Sequence, residues 1–282
     1  MNKILQKETE RLIEIAFAED IPYRDLASEA VFNDKTGKVD LIAKQEGIIC
    51  GLEVFQMTFE YLDPNIEIEY YCQEGDSIRP GDILLTVTGP ADALLMAERT
   101  ALNFLQRLSA VATASNKLVN ALKETNIKVV DTRKTTPAYR NLQKHAVRVG
   151  GAYNHRFGLS DLILLKDNHI QAAGGIKQAV AAVKAIDPFM HKIEIEVENL
   201  EMVKEALEAG VDIIMLDNMD HNTMKTAIDI IDGQCLIEAS GNLSIENAHT
   251  FSDLKIDFVS SGALTHSAGI LDLSMKNFRI ID

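Results

Sequence analysis

Cysteine is scarce in this chain of 282 residues: Cys50, Cys72 and Cys235 stand far apart with no C-x-x-C pair. That excludes a disulfide framework, argues against a zinc site and fits a reducing, cytoplasmic setting. No apolar run reaches the roughly 18 residues of a membrane span, which excludes a helical membrane protein. The first 20 residues are too charged for a signal peptide, so nothing points to export. Positive charge is also short: 28 Lys and Arg stand against 42 Asp and Glu, a net charge of −14. Such a chain should not bind nucleic acid non-specifically. No G-x-G-x-x-G follows an apolar run, which weakens a dinucleotide-binding reading. The histidines lack the H-x-H or H-E-x-x-H spacing of a metalloenzyme.

The little positive charge there is gathers in one place. Residues 131–169 hold seven Lys or Arg against three acids, and three of the seven histidines. The window is therefore +4 and the rest of the chain −18. Two readings are open: a site for an anionic small ligand, or a solvated basic helix face.

The length allows one large or two modest domains, and 46% apolar residues supply a globular core. Apolar spacing predicts a helix over 3–18. Short β-rich runs interrupted by Gly, Pro and Asp fill 38–88, and a long helix runs from Asp92, as its cap, to Leu122. From 127 the pattern turns rhythmic. Apolar runs at 128–131, 162–166, 193–197, 211–217, 234–239 and 256–260 alternate with helical candidates, among them 174–186, 199–209, 221–231 and 244–253. The reading is α/β, with parallel strands in a compact barrel short of eight units; a doubly wound open sheet is the rival.

Strand parity then points to a site. In IEIEVEN, Glu194, Glu196 and Glu198 share the face opposite Ile193, Ile195 and Val197. Lys166, Asp217, Glu238 and Ser240 end other strands with matching parity. Barrels keep their chemistry at that mouth, although a structural Lys166–Glu196 or Lys166–Asp217 ion pair would give the same pattern. Arg133 and Lys134 follow a strand; His155 and Arg156 lie on a loop after Gly150-Gly151. Guanidinium and ammonium groups at one mouth suit several negative charges. Ser240-Gly241 and Ser261-Gly262 follow late strands, where phosphate loops occur. A Schiff-base lyase using Lys166 is the rival chemistry. A lipoyl-type carrier, whose turn pattern EGDSIRPGDILLTVTG resembles, is discounted because no lysine lies between Gly51 and Lys117.

ERTALN (98–103), DTRKTTP (131–137), NHRFGLSDLILLKDNHI (154–170), EIEVEN (194–199), LDN (216–218), EASGN (238–242) and SGALTHS (261–267) together resemble the quinolinate phosphoribosyltransferase family. The resemblance implies an N-terminal α/β sandwich plus an incomplete (β/α) barrel with parallel strands. The expected domains are 1–110, with the tail 268–282 as a candidate addition, and 111–267. It also implies quinolinate and phosphoribosyl pyrophosphate as substrates, Mg2+ as cofactor, and a homodimer or assembly of dimers with shared active sites. By motif, Arg133, His155 and Arg156 would hold quinolinate carboxylates, and Arg99 would be supplied across the dimer. Lys134 and Lys166 would meet quinolinate and pyrophosphate. Glu196 and Asp217 would hold ribose and Mg2+. Ser240, Gly241 and Gly262 would form the 5′-phosphate loops, with Thr132, Asn242, Ser261 and Ala263 in the substrate-binding set. Lys134, Lys166, Glu196 and Asp217 would be the catalytic group. One segment departs from the family, which usually has Gly-Asp-Ile/Leu-Thr where this chain reads Arg24-Asp25-Leu26-Ala27. A fold relative associated with molybdenum transport ranks second, because NHR together with KDNH favours the first family.

Overall fold

The computed structural model describes residues 3–32, 35–241 and 243–281; Asn242 lies outside the described residues. In chain order the elements begin with α1 (Lys3–Asp20), α2 (Leu26–Val31), β1 (Thr36–Ala43), β2 (Gly47–Ile48) and α3 (Leu52–Leu62). There follow β3 (Glu67–Tyr70), β4 (Ser77–Ile78), β5 (Ile83–Pro90), α4 (Ala91–Ala121), β6 (Lys128–Val130), α5 (Arg140–Val149) and β7 (Ile163–Leu165). Next come α6 (Asp167–Ala173), α7 (Ile176–Ile186), β8 (Ile193–Val197), α8 (Leu200–Ala209), β9 (Ile213–Asp217) and α9 (His221–Ile231). The last are β10 (Leu236–Ser240), β11 (Phe258–Ser260), α10 (Ala263–His266) and β12 (Leu273–Ile280).

The chain divides into two compact units. The first holds 1–116, 136–151 and 268–282; the second holds 117–135 and 152–267. The boundary thus falls at 116/117, inside α4, where 110/111 was expected, and 136–151 belongs to the first unit instead of the barrel. Close packing explains the second difference. A Cβ on Gly150, at the end of α5, would lie 2.3 Å from the Ala112 carbonyl oxygen and 2.6 Å from Ser115 Cβ of α4. Only a glycine lets these backbones approach so closely. Gly150→Ala is therefore expected to destabilise the protein by about 1–3 kcal/mol, read as a lower thermal midpoint; an unchanged midpoint would contradict this packing.

In the first unit, an antiparallel sheet of order β12-β1-β5-β3 carries the C-terminal strand beside β1. Gln106 Nε2 of α4 donates to the Leu273 carbonyl at 2.8 Å and helps fix that strand. Leu94, Leu102, Leu105 and Leu108 form the buried stripe of α4, while Arg99 on the same helix is exposed. Asp25, in the segment that departs from the family pattern, caps α2: its Oδ1 accepts from the Ala27 and Ser28 N–H groups at 3.0 and 3.1 Å.

The second unit contains six parallel strands in the order β6-β11-β10-β9-β8-β7. Among the described residues β6 and β7 are the outermost strands, with Tyr153 alone bridging Val130 on the outer side of β6, so the barrel is incomplete. Ile195, Ile214 and Ile237 stand side by side in register and are buried. Polar side chains take the alternate positions: Glu238 is level with Met215 and Glu196, and Ser240 is level with Asp217. Asn199 and Asp220 cap α8 and α9 by accepting N–H groups at 3.0–3.1 Å, and Gly210 ends α8 at φ 69°. The helix expected over 244–253 is a single 3₁₀ turn, Ala248–Phe251. Its polar side chains bond to nearby backbone instead: Asn247 accepts from the Ser244 N–H, and the Thr250 and Ser252 hydroxyls donate to carbonyls three residues back.

Candidate active site

A cavity of about 660 Å³ opens among the strand ends of the second unit. Its lining includes Thr132, Arg133, Lys134, His155, Arg156 and Lys166. Glu196, Asp217, Ser240, Gly241, Ser261, Gly262 and Ala263 complete the expected set there. Arg99 belongs to the first unit. The basic island is thus divided. Arg133, Lys134, Arg156 and Lys166 line the cavity, whereas Arg140, Lys144 and Arg148 lie on α5 in the first unit. The α5 part is not a wholly solvated face: Lys144 is buried, Arg140 is half-buried and Arg148 is exposed.

The positive groups crowd one another. Burial, and then the nearby Arg133 guanidinium, pulls the pKa of Arg156 down. Arg156 Nη1 donates to the Leu162 carbonyl at 3.1 Å, which fixes the arm of the side chain. Like charges held together in a partly buried site favour a bound anion. Lys166 is balanced by Glu196, whose two carboxylate oxygens lie 2.6 and 2.9 Å from its Nζ. The ion pair read as an alternative from parity is therefore present, and it sits in the cavity wall. Asp217 Oδ2 accepts from Asn218 Nδ2 at 3.0 Å.

Residues outside the expected set organise the arginine loop. Asp131, fully buried at the end of β6, accepts from Asn154 Nδ2 at 2.7 Å and from the His155 N–H at 2.8 Å. It pins the NHR turn to the strand that carries Arg133. In the cavity wall, His155 Nε2 lies 3.1 Å from Glu194 Oε2 and 3.3 Å from Glu238 Oε2. Its Nδ1 lies 2.7 Å from the Arg156 backbone nitrogen, so both ring nitrogens face partners in the protein. Burial pushes the Glu194 carboxyl up, the hydrogen bond from His155 opposes this, and the Glu238 charge adds to the rise. Strand parity marked both acids as inward; that they meet a loop histidine was not legible from spacing. The Thr265 hydroxyl donates to the Lys134 carbonyl at 2.8 Å and anchors the cationic turn to α10.

Two groups of potential metal ligands occur among the described residues: His155 with Glu194 and Glu238, and Cys50 with Glu74 and His145 in the first unit. The second group reads as a helix cap. Glu74 accepts from the Gly51 and Leu52 N–H groups at 2.8–3.0 Å at the start of α3. Burial, with Glu74 adding, pushes the Cys50 thiol well up, which disfavours a thiolate ligand. No helix among the described residues is long and apolar enough to cross a membrane.

Comparison with known proteins agrees with this geometry. Residues 25–109 match the profile of the quinolinate phosphoribosyl transferase N-terminal domain, and 111–276 that of its C-terminal domain. The chain is 40% identical over 268 residues to a probable nicotinate-nucleotide pyrophosphorylase [carboxylating] of Bacillus subtilis, covering 95% of this chain and 93% of that protein. The crystal structure of NadC from Streptococcus pyogenes superposes with a TM-score of 0.93 at 46% identity, over 96% of each chain. The nicotinate-nucleotide pyrophosphorylase of Francisella tularensis gives 0.92 at 37% identity, again over 96% of each chain.

Proposed function

The chain belongs to the quinolinate phosphoribosyltransferase family, and from that premise we propose how its barrel mouth performs the family reaction. The enzyme transfers phosphoribosyl from phosphoribosyl pyrophosphate to quinolinate with decarboxylation. The products are nicotinate mononucleotide, pyrophosphate and CO2, in the synthesis of NAD. The observation that carries the site assignment is the crowding of Arg133 and Arg156 on one cavity with Lys134 and Lys166. Quinolinate brings two carboxylates and the co-substrate three phosphate groups, so this cationic wall has a matching load.

In our reading Arg133 and Arg156 hold quinolinate carboxylates, with His155 orienting the loop through its bonds to Glu194, Glu238 and the Arg156 N–H. Lys134 and Lys166 meet quinolinate and the leaving pyrophosphate. Ser240-Gly241 and Ser261-Gly262-Ala263 receive the phosphate end of the co-substrate, and Thr132, whose hydroxyl accepts from the Lys134 N–H at 3.0 Å, belongs to the substrate-binding set. Loss of pyrophosphate leaves an oxocarbenium-like ribose, which Glu196 and Asp217 stabilise electrostatically. Ribosylation makes the pyridine nitrogen positive, and that charge stabilises the carbanion left when CO2 departs from C2. A preorganised, water-poor pocket suffices, and no covalent nucleophile is needed.

The donor set fits Mg2+, which takes hard oxygen ligands and binds through one or two carboxylates together with substrate phosphates. Glu196 is engaged by Lys166 through both oxygens, so Asp217 is the better placed to touch the cation and Glu196 to support it. When bound, the ion would neutralise charge on the leaving pyrophosphate. We further propose a cytoplasmic homodimer, or an assembly of dimers, in which the exposed Arg99 completes the partner's site. A Schiff-base role for Lys166 is disfavoured. Its ammonium is chelated by Glu196, whereas imine formation needs an uncharged amine.

Release of labelled CO2 from carboxyl-labelled quinolinate, dependent on phosphoribosyl pyrophosphate, tests the reaction. A site built for two carboxylates should also discriminate. Nicotinate has one, so a guanidinium would stay poorly paired at a cost of a few kcal/mol. Nicotinate is expected to be at least about a hundredfold poorer in kcat/KM, since ~1.4 kcal/mol is tenfold; equal use of both acids would sink the proposed pocket.

A further inference from the structure

We propose that Asn218 is a positioning residue that locks the Asp217 carboxylate to the Ser240–Gly241 turn, so that the ribose and 5′-phosphate ends of the co-substrate are gripped at one fixed spacing. The inference rests on the reading above, in which Asp217 faces the ribose and Ser240-Gly241 the phosphate. Four observations meet at this residue. Its Nδ2 donates to Asp217 Oδ2 at 3.0 Å. Its backbone N–H donates to the Ser240 carbonyl on the neighbouring strand at 3.0 Å. It holds a left-handed backbone at φ 52°, a conformation that costs a non-glycine residue energy and persists where the surroundings enforce it. Its side chain occupies the space over Gly241, where a Cβ would lie 2.4 Å from Asn218 Oδ1 and 3.2 Å from its Cα. Gly241 itself sits at φ 120°, so a side chain there would be strained as well as blocked by Asn218.

Asparagine meets all of these demands. It tolerates the left-handed region better than most residues, is short enough to lie against a glycine, and offers an amide donor to a carboxylate one residue away. Aspartate would keep the shape and lose the donor. Glycine would keep the backbone angle and lose the side chain. Asn218 lines the cavity, yet the atoms that bond Asp217 and Ser240 are spent inside the protein. It therefore acts through its neighbours.

The test is a double-mutant cycle in steady-state kinetics with Asn218→Gly, Asn218→Asp, Asp217→Ala and the combination Asn218→Gly/Asp217→Ala. Misplacement of a reacting group by about 1 Å costs on the order of a hundredfold. Both Asn218 variants should thus lose about ten- to a hundredfold in kcat/KM for phosphoribosyl pyrophosphate, with KM for quinolinate within about twofold of the parent. In the Asp217→Ala background, Asn218→Gly should cost much less, because the two residues act as a unit. Asn218→Gly, which relieves the backbone strain, keeps the measurement interpretable if Asn218→Asp folds poorly. Wild-type kinetics in both Asn218 variants, or full additivity with a damaging Asp217→Ala, would overturn the positioning role alone. A harmless Asp217→Ala would instead remove the reading on which it rests.

Discussion

Asp217→Asn is expected to lower kcat by about a hundred- to a thousandfold while leaving quinolinate binding largely intact. Asp217 ends β9 with the inward parity of Met215, level with Ser240 on β10 and in the wall of the cavity. Asparagine matches its shape and can still accept a hydrogen bond, so the substitution removes charge with little change in packing. If the carboxylate serves by opposing positive charge on the ribose, or by meeting a cation on the pyrophosphate, that charge is what the transition state requires. Quinolinate, in contrast, is assigned to guanidiniums that follow β6 and precede β7, at the two edges of the open barrel. Steady-state kinetics with varied phosphoribosyl pyrophosphate, paired with calorimetric titration of quinolinate, separates the two effects. Retained kcat in Asp217→Asn would remove Asp217 from the chemistry. A parallel loss of quinolinate affinity would mean that the acid shapes the whole cavity.

The strand ends that place this acid were legible in the sequence because period-2 alternation is a local property. Parity in IEIEV and VDIIMLD put Glu196 and Asp217 on the inward face, and the register of β8, β9 and β10 sets them on one cavity. Helix caps were less legible: Asp92, expected as the cap of the long helix, lies in the first turn of α4, which begins at Ala91, whereas the caps of α8 and α9 are Asn199 and Asp220. What spacing could not give was the set of contacts made across the barrel. Asp131 bonds residues 23 and 24 positions away, and His155 meets acids from two different strands. In a charge count Asp131 was one acid in a basic window, with nothing to mark it as the clamp of the arginine loop. The same count could not divide the basic island, because α5 carries three of its charges into the first unit through a glycine contact that leaves no periodic trace. The family resemblance supplied roles for residues whose positions physics alone left open, and Arg99 is the one whose role depends most on a second subunit.

Arg99→Ala and Lys166→Ala are each expected to abolish activity as homodimers, and subunit exchange between the two inactive proteins is expected to restore it. Arg99 is exposed on α4, a helix whose leucine stripe is buried, so the guanidinium is presented outward from the first unit. An exposed arginine that merely paired with a nearby acid such as Glu98 would contribute under about 1 kcal/mol, and its loss would scarcely affect the reaction. An arginine that reaches a quinolinate carboxylate in the partner's barrel would instead be essential, and essential in trans. Mixed dimers then contain one site with both Arg99 and Lys166 intact and one site with neither. Random reassortment of equal amounts makes about half the dimers mixed, so roughly a quarter of wild-type activity should return if the sites act independently. Verified exchange without recovery would place the action of Arg99 within its own chain. Substantial activity in the Arg99→Ala homodimer would reduce the residue to a surface charge.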